Sequence, residues 1–300
     1  MEHFGRWWVI IIRAYIVALT LEGLRQPANA NTTKRKNMLI ASRNSLLHTH
    51  PAHVALPSPH RIAMFLDIDG TLLDIAPHPG DVIADAELIQ LISDVCTATS
   101  GAVAFVSGRA IADIDRIFAP LVLPAAGLHG AELRYPDGSR FGVSSDILDH
   151  ARPQLREFVE VHTGLLFEDK GATIAVHYRQ RPDLAEVVFE KLCVFGASDA
   201  LEVIQGKCVV ELKPSLLDKG TGIARLLEVA PFRDRQPVFI GDDRTDEDGF
   251  MLVNERHGIS VRIGATEEPS AATTRLSTPS ELRTFLSTLI ASTHHADAVL

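Results

Sequence analysis

The sequence contains few cysteines and no excess of positive charge. Its three cysteines, Cys96, Cys193 and Cys208, are far apart and lie in apolar surroundings. That pattern is typical of reduced core residues and excludes a disulfide framework or a zinc site of the usual spacing. The formal net charge of −9 argues against a nucleic-acid partner, because such proteins need a basic surface. We therefore expect a cytoplasmic protein that does not bind nucleic acid.

The sequence also lacks an apolar run long enough to cross a membrane. Its most apolar amino-terminal part, residues 7–21, is interrupted by Arg13, whereas a spanning helix needs roughly 20 consecutive apolar residues. Residues 28–30 (ANA) have the form of a signal-peptide cleavage site, and Met38 is an alternative start of translation. We interpret residues 1–60 as an amino-terminal extension, disordered or partly helical, and expect no membrane partner.

In residues 61–73, an uninterrupted apolar segment ends in two carboxylates. Residues 62–66 (IAMFL) are all apolar, which is the pattern of a strand buried on both faces of a parallel sheet. Asp67 and Asp69 follow directly, with Thr71 in the same turn. Because ligands of open α/β sheets bind at the carboxyl ends of strands, this stretch predicts a functional site. The alternative is a strand-to-turn junction in which the acids only cap the loop.

Polar groups follow other predicted strands or open the next helix. These groups are Ser107 and Arg109 after residues 102–106, Lys219 at the start of a helix, and Asp242, Asp243 and Asp246 after residues 237–241. The carboxyl ends of parallel strands meet at one edge of the sheet, so we expect the groups to converge there. Carboxylates from two loops suit Mg²⁺, whereas Lys219, Ser107 and Thr71 suit the oxygens of a phosphoryl group.

These segments resemble, in type and order, the four motifs of the haloacid dehalogenase-like (HAD) phosphohydrolases. The resemblance covers roughly residues 61–264 and begins with DIDGT at residues 67–71. It implies that Asp67 attacks phosphorus and forms an aspartyl-phosphate. Asp69 then protonates the leaving alcohol and activates water for the second step.

The same resemblance implies a bound Mg²⁺ as cofactor. Its ligands in the family are the nucleophile, the backbone carbonyl of the second acid and an acid of the fourth motif. In this sequence they correspond to Asp67, Asp69 and either Asp242 or Asp243. Asp246 is interpreted either as an acid behind the ligands or as a helix cap.

Between about residues 135 and 212, alternating patterns replace the continuous apolar runs. Residues 172–179, 201–204 and 208–212 are typical of half-exposed antiparallel strands, and two apolar stripes at helical spacing lie between them. We predict an α/β fold with a HAD-like doubly wound parallel sheet core, residues 61–134 and 213–300. An α+β cap, residues 135–212, is inserted into it.

Several short segments further resemble the trehalose-6-phosphate phosphatase branch of the HAD enzymes. They are SGR at 107–109, GLHG at 127–130, EDKG at 168–171, HYR at 177–179, ELKP at 211–214 and GDDRTDE at 241–247. The resemblance implies hydrolysis of trehalose 6-phosphate. We expect the substrate to contact Arg109, Glu168, Lys170 and Glu211, because charged groups discriminate among sugar hydroxyls.

Alternative functions stay open on the sequence alone. The same chemistry could act on sucrose 6-phosphate or mannosyl-phosphoglycerate, a mutase could move the phosphate between sugar positions, or the chain could be a silent regulatory module. The complete acid set favours an enzyme. We expect a monomer or weak oligomer that acts on a small sugar phosphate, and we interpret His129 and His177 as structural side chains.

Overall fold

A computed structural model describes residues 57–75, 82–197, 200–206, 208–265 and 268–296. Most of the predicted amino-terminal extension, including Arg13 and Met38, lies outside the described residues. Across the described ranges, no helix combines the length and the apolar character that crossing a membrane requires.

The described residues form twelve strands and seven α-helices. The strands are β1 (Ile62–Leu66), β2 (Val103–Val106), β3 (Ala125–Gly127), β4 (Glu132–Arg134), β5 (Arg140–Gly142), β6 (Leu166–Asp169), β7 (Ile174–His177), β8 (Leu201–Gly206), β9 (Val209–Pro214), β10 (Gln236–Gly241), β11 (Ile259–Ile263) and β12 (Thr274–Leu276). The helices are α1 (Ala86–Ala98), α2 (Ile111–Phe118), α3 (Ala151–Glu160), α4 (Ala185–Gly196), α5 (Lys219–Leu226), α6 (Glu247–Glu255) and α7 (Pro279–Ala296).

The larger sheet has eight strands in the order β12-β11-β10-β1-β2-β3-β4-β5. From β12 to β3 the neighbours run parallel, and the chain winds outward from β1 in both directions. The strands β4 and β5 add an antiparallel edge. This sheet confirms the predicted α/β class with a doubly wound parallel core.

Strand β1 owes its uninterrupted apolar sequence to helices on both faces of the sheet. Ile62, Met64 and Leu66 pack with α1, α2 and α7 on one face. Ala63 and Phe65 pack with α5 and α6 on the other. Each large side chain buried in this way contributes about 1.5–3 kcal/mol relative to an exposed one. Neither face of β1 can therefore carry polar side chains, and the acids come only where the strand ends.

The pairing of the central strands aligns their carboxyl ends. Leu66 at the end of β1 pairs with Ile240 of β10 on one side and with Phe105 of β2 on the other. The backbone amide of Asp67 still donates to the carbonyl of Ile240, at 2.9 Å. The loops after β1, β2 and β10 consequently leave the same edge of the sheet.

The smaller sheet is antiparallel, with four strands in the order β6-β7-β9-β8. Helices α3 and α4 bury Leu155, Val188 and Leu192 against one face of it. Two strands do not follow the predicted limits of the cap, residues 135–212. Strand β5 lies within these limits yet pairs with β4 of the larger sheet, and β9 continues beyond them to Pro214.

Candidate active site

Asp67 and Lys219 form a buried ion pair at the edge of the larger sheet. Asp67 follows β1 and is 3% exposed, and Lys219 is equally buried. Asp67 Oδ1 accepts a hydrogen bond from Lys219 Nζ at 2.7 Å, and its Oδ2 accepts one from Thr71 Oγ1 at 3.0 Å. Lys219 is the first residue of α5 because Asp218 caps that helix by accepting from the backbone amide of Thr221. Both oxygens of Asp67 are thus oriented by neighbours.

The charges around Asp67 oppose one another. Burial raises the pKa of Asp67 well above its usual value, and repulsion from Asp246 and Asp242 adds to the rise while Lys219 opposes it. For Lys219, burial alone would lower the pKa, but the carboxylates of Asp246 and Asp67 raise it above the ordinary lysine value. Lys219 therefore keeps its positive charge at neutral pH, whereas burial beside two further carboxylates disfavours the ionised form of Asp67.

Asp67, Asp242 and Asp246 form a buried carboxylate cluster, with one oxygen from each within 4.8 Å of the others. Asp246 is already committed: its Oδ1 accepts from Lys219 Nζ at 2.7 Å, and its Oδ2 accepts from the backbone amides of Asp242 and Asp243 at 3.0 and 2.9 Å. Oxygen donors of this kind suit a hard divalent cation. The donor set and the raised pKa of Asp67 both fit a metal ion, with Asp67 and Asp242 as its side-chain ligands.

Asp243, the other fourth-motif acid, lies outside this cluster. Its Oδ1 accepts a hydrogen bond from the backbone amide of Arg244 at 2.7 Å and caps the turn Arg244–Asp246. The structure therefore favours Asp242 over Asp243 as the buried carboxylate beside Asp67. Both interpretations of Asp246 apply, because its carboxylate supports Lys219 and also caps the loop that carries Asp242.

Asp69 forms a bidentate ion pair with Arg109. Arg109 Nε and its second terminal nitrogen donate to the two carboxylate oxygens at 2.5 and 2.7 Å. The Arg109 side chain is 10% exposed and that of Asp69 is 36% exposed. Burial would lower the pKa of Arg109, but Asp69 raises it. The pair fixes the direction of the Asp69 carboxylate at the mouth of the site.

Ser107 and Thr71 contribute hydroxyl groups at the same edge. Both are buried, and Ser107 Oγ accepts from the backbone amide of Arg109 at 3.2 Å. Since the Thr71 hydroxyl donates to Asp67, the structure gives Thr71 an orienting contact that the sequence did not suggest. Phosphate binding by either residue stays a prediction.

These groups open into a cavity of about 660 Å³ that lies between the two sheets. The larger sheet contributes residues of its strand-end loops, and the smaller sheet contributes polar side chains from β6, β7 and β9. The lining includes Asp67, Asp69, Ser107, Arg109, Lys219, Asp242 and Asp243 from the former and Glu168, Lys170, His177 and Glu211 from the latter. Every site residue predicted from the sequence, except Thr71 and Asp246, therefore lines one cavity.

The register of the smaller sheet explains why its acids face the cavity. Ala175 of β7 pairs with Glu168 of β6 and with Glu211 of β9, so these residues share one face. Their neighbours along β9, Val210 and Leu212, pack with the helices on the other face. The small side chain of Ala175 stands between the two acids. This alternation places two carboxylates side by side toward the larger sheet.

Lys170 joins these acids to the larger sheet. Its Nζ donates to the backbone carbonyl of Gly108 at 3.2 Å and lies 3.4 Å from Glu211 and 4.0 Å from Glu168. Burial would raise the pKa of Glu211, but Lys170 and His129 lower it strongly, and a hydrogen bond from Thr173 Oγ1 at 2.5 Å helps. Glu211 is therefore ionised throughout the physiological pH range.

The two histidines that the sequence suggested as structural both contact cavity carboxylates. His177 Nε2 lies 2.8 Å from Glu168 Oε2, and His129 Nε2 lies 3.5 Å from Glu211 Oε2. Burial would raise the pKa of Glu168, but His177 and Lys170 lower it. The signal in the sequence for a role of these two histidines was their position in the GLHG and HYR segments, next to segments with charged groups.

Comparisons with known proteins agree with this geometry. The family model described as trehalose-phosphatase matches residues 65–280. The chain is 40% identical to the trehalose-6-phosphate phosphatase of Escherichia coli (strain K12) over 209 residues, which cover 68% of this chain and 78% of that protein.

Solved structures show the same fold. A trehalose-6-phosphate phosphatase related protein has a TM-score of 0.64 at 26% identity, covering 78% of this chain and 99% of that one. A phosphatase of the haloalkanoate (HAD) superfamily from Bacteroides thetaiotaomicron has a TM-score of 0.56 at 18% identity, covering 79% and 98%. The predicted family and the HAD-like fold are both confirmed. The chain therefore belongs to the trehalose-phosphatase family and is a phosphatase with the HAD-like fold.

Proposed function

We propose that the chain hydrolyses trehalose 6-phosphate to trehalose and inorganic phosphate through an aspartyl-phosphate on Asp67. The observation that carries the proposal is a single cavity with two kinds of wall. One wall offers the buried Asp67–Lys219 pair for a phosphoryl group, and the other offers charged groups for sugar hydroxyls. The names of the relatives, trehalose-6-phosphate phosphatase among them, support this sugar phosphate as the substrate.

In the first step, a carboxylate oxygen of Asp67 bonds to phosphorus as the bond from phosphorus to the sugar oxygen breaks. Lys219 and Thr71 hold the carboxylate in place, so little orientation has to be gained during the reaction. Lys219 also offsets the repulsion between the anionic nucleophile and the phosphoryl oxygens. We propose Ser107 as a further hydrogen-bonding partner of those oxygens.

Asp69 is the proposed proton donor and acceptor. In its protonated form it gives a proton to the leaving sugar oxygen, and in its ionised form it takes one from the water that attacks the aspartyl-phosphate. Arg109 contacts both carboxylate oxygens. It therefore fixes the direction of the Asp69 carboxylate, while its place in the cavity also lets it contact the substrate.

The proposed cofactor is Mg²⁺. Asp67, Asp242 and the backbone carbonyl of Asp69 would hold it, with Asp243 as the second candidate from the same loop. When bound, it supplies positive charge to the phosphoryl oxygens and to the buried carboxylates. The raised pKa of Asp67 beside two further carboxylates is the property that such a cation relieves.

The proposed sugar-binding residues are Glu168, Lys170 and Glu211, together with Arg109. The first three belong to the part of the chain that we propose as the cap, residues 135–212, between the two core segments 61–134 and 213–300. Arg109 belongs to the first of these core segments. Sugar hydroxyls need partners that both donate and accept, and a lysine between two ionised carboxylates offers both. We further propose a monomer or weak oligomer. A location in the cytoplasm is supported by the three free cysteines, because thiols stay reduced there.

The test is release of phosphate from trehalose 6-phosphate, measured with Mg²⁺ and again with excess chelator. Asp67→Asn should lower kcat by roughly 10⁴-fold or more, because the nucleophile is lost. The exposed carboxylate of Asp94, hydrogen bonded to Gln90 on α1, gives the matched control: Asp94→Asn should keep the wild-type rate. Full activity of Asp67→Asn would refute the covalent route, and a preference for sucrose 6-phosphate or another sugar phosphate in a parallel panel would refute the substrate.

A further inference from the structure

The short loop after β3 has an unusual backbone. Leu128 and His129 have φ angles of 48° and 54°, in the left-handed region that residues with side chains rarely adopt. Two hydrogen bonds hold the loop in this shape. The amide of Leu128 donates to the carbonyl of Arg109 at 3.0 Å, and the amide of His129 donates to the carbonyl of Ser107 at 3.1 Å. Two consecutive residues in an unfavourable conformation indicate that the direction of a side chain matters here.

The imidazole that this loop carries is buried between the two walls of the cavity. His129 is 6% exposed, and its Nε2 lies 3.5 Å from Glu211 Oε2. The ring also packs on Gly108, where a Cβ atom would come within 2.6 Å of Nε2. Burial lowers the pKa of His129 although Glu211 opposes the shift, which fits a neutral ring that shares its N–H with the carboxylate.

Gly108 is contacted from the other side as well. Lys170 Nζ donates to its carbonyl at 3.2 Å and lies 3.4 Å from Glu211. Glu211 therefore lies between a lysine and a histidine that both contact the Ser107–Arg109 loop. That loop carries the hydroxyl proposed for the phosphate and the guanidinium that fixes Asp69. A sugar bound to Glu211 would thus be held at a fixed place relative to the loop that serves the phosphoryl group.

We propose that His129 is a positioning residue that holds Glu211 for the sugar and ties that contact to the loop at residues 107–109. The proposal rests on the proposed function, in which Glu211 binds the sugar. A phosphate ester without the sugar makes no use of Glu211. His129 should therefore matter for trehalose 6-phosphate and not for a small aryl phosphate.

The experiment is a double-mutant cycle on the full chain with Mg²⁺, using trehalose 6-phosphate and p-nitrophenyl phosphate as substrates. His129→Phe should lower kcat/KM for trehalose 6-phosphate roughly tenfold, the value of one polar contact to a charged group. The rate on p-nitrophenyl phosphate should change less than about twofold. Combining His129→Phe with Glu211→Gln should cost no more than Glu211→Gln alone, because the histidine acts through the glutamate.

Two further variants separate this role from a merely structural one. His129→Gln keeps a side-chain donor and should recover part of the loss. His162 is a half-buried histidine whose Nδ1 lies 2.7 Å from the carbonyl of Phe158. It does not line the cavity, so His162→Phe should leave both rates unchanged.

Equal losses on the two substrates, or losses that multiply in the double variant, would overturn the proposal. So would a His129→Gln variant without a cooperative unfolding transition, because the residue would then be needed for folding itself. Wild-type protein that cleaves p-nitrophenyl phosphate but not trehalose 6-phosphate would refute the proposed substrate instead. The same cycle on the sugar phosphate it prefers would then decide the role of His129.

Discussion

Replacing Lys219 with methionine should destabilise the protein most strongly at neutral pH. The substitution keeps the length and apolar stem of the side chain and removes only its charge. Lys219 Nζ donates to Asp67 and Asp246 at 2.7 Å each, and all three side chains are at most 5% exposed. The variant therefore leaves two buried carboxylates without their ammonium group.

The expected loss follows from the burial. Removing one partner of a buried ion pair typically costs about 3–5 kcal/mol, because the remaining charge stays buried and uncompensated. For a domain of this size that corresponds to a fall of about 6–20 °C in the unfolding midpoint. Lys191 provides a control, because it lies half-buried on α4, 5.8 Å from the ring of Phe158. Lys191→Met should cost at most about 1 kcal/mol.

The dependence on pH identifies the mechanism. The pKa of Lys219 is raised in the folded state, so its contribution is present at neutral pH and is lost only as the pH rises through that pKa. Without Lys219, the pKa of Asp67 should rise further, and a protonated carboxyl needs no counter-charge. In urea unfolding without metal, the difference between wild type and Lys219→Met should therefore be largest near pH 7 and shrink toward pH 5. A difference that is constant with pH, or no larger than that of Lys191→Met, would contradict the reasoning.

Three other predictions concern the metal, the turn after β1 and the buried histidine. At 100 times its Kd, Mg²⁺ should stabilise the wild type by about 2.7 kcal/mol, seen as a higher unfolding midpoint, and should not stabilise Asp242→Asn. Gly138→Ala should cost about 1–2 kcal/mol at its φ angle of 83°, and Gly70→Ala, at a φ angle of 81°, should cost at least as much. Only Gly70→Ala should also abolish phosphate release, because its Cβ would lie 2.1 Å from Asp242 Oδ2, whereas nothing lies within 4 Å at Gly138. The pKa values of His129 and Glu211 are lowered in the folded state, so the unfolded chain binds more protons in acid. The stability advantage of wild type over His129→Gln should therefore fall as the pH drops below about 6.5. A stability difference that does not change with pH would refute the lowered pKa of His129.

The strands that sequence reasoning identified best are those buried on both faces. The runs at 62–66 and 102–106 are apolar throughout, because helices cover both sides of the sheet, and the structure places β1 and β2 there. The apolar segment at residues 121–126 (LVLPAA) also predicts a strand, but β3 begins only at Ala125. Residues 121–124 are apolar in part because Leu123 is buried, and its carbonyl accepts from Arg134 instead of a neighbouring strand.

Short and exposed strands carry no such pattern. Three strands, β5, β6 and β12, have three or four residues each, and β5 is exposed throughout. Their pairing is decided by the partner strand and not by their own composition. This is why the sequence predicts no strand at residues 140–142, which fall within the predicted cap, although β5 completes the edge of the larger sheet.

At the site, the sequence could predict which residues converge but not how they divide their tasks. Convergence follows from the parallel sheet, whose strand ends bring Asp67 and Asp242 together. The task of each residue depends on distances between atoms, and the spacing of residues along the sequence does not give those distances. Asp246 is the clearest case, because its two oxygens serve Lys219 and the backbone of the loop that carries Asp242.

The link between the two sheets gives the proposed cap a second task besides its proposed contact with the sugar. Lys170 donates to the carbonyl of Gly108, and the next residue, Arg109, holds both oxygens of Asp69. The cap is thus two contacts away from the group proposed to protonate the leaving sugar. Because that oxygen belongs to the same sugar that the cap binds, correct seating of the sugar and correct placement of Asp69 depend on one loop. Substitutions in the cap should consequently lower kcat as well as raise KM.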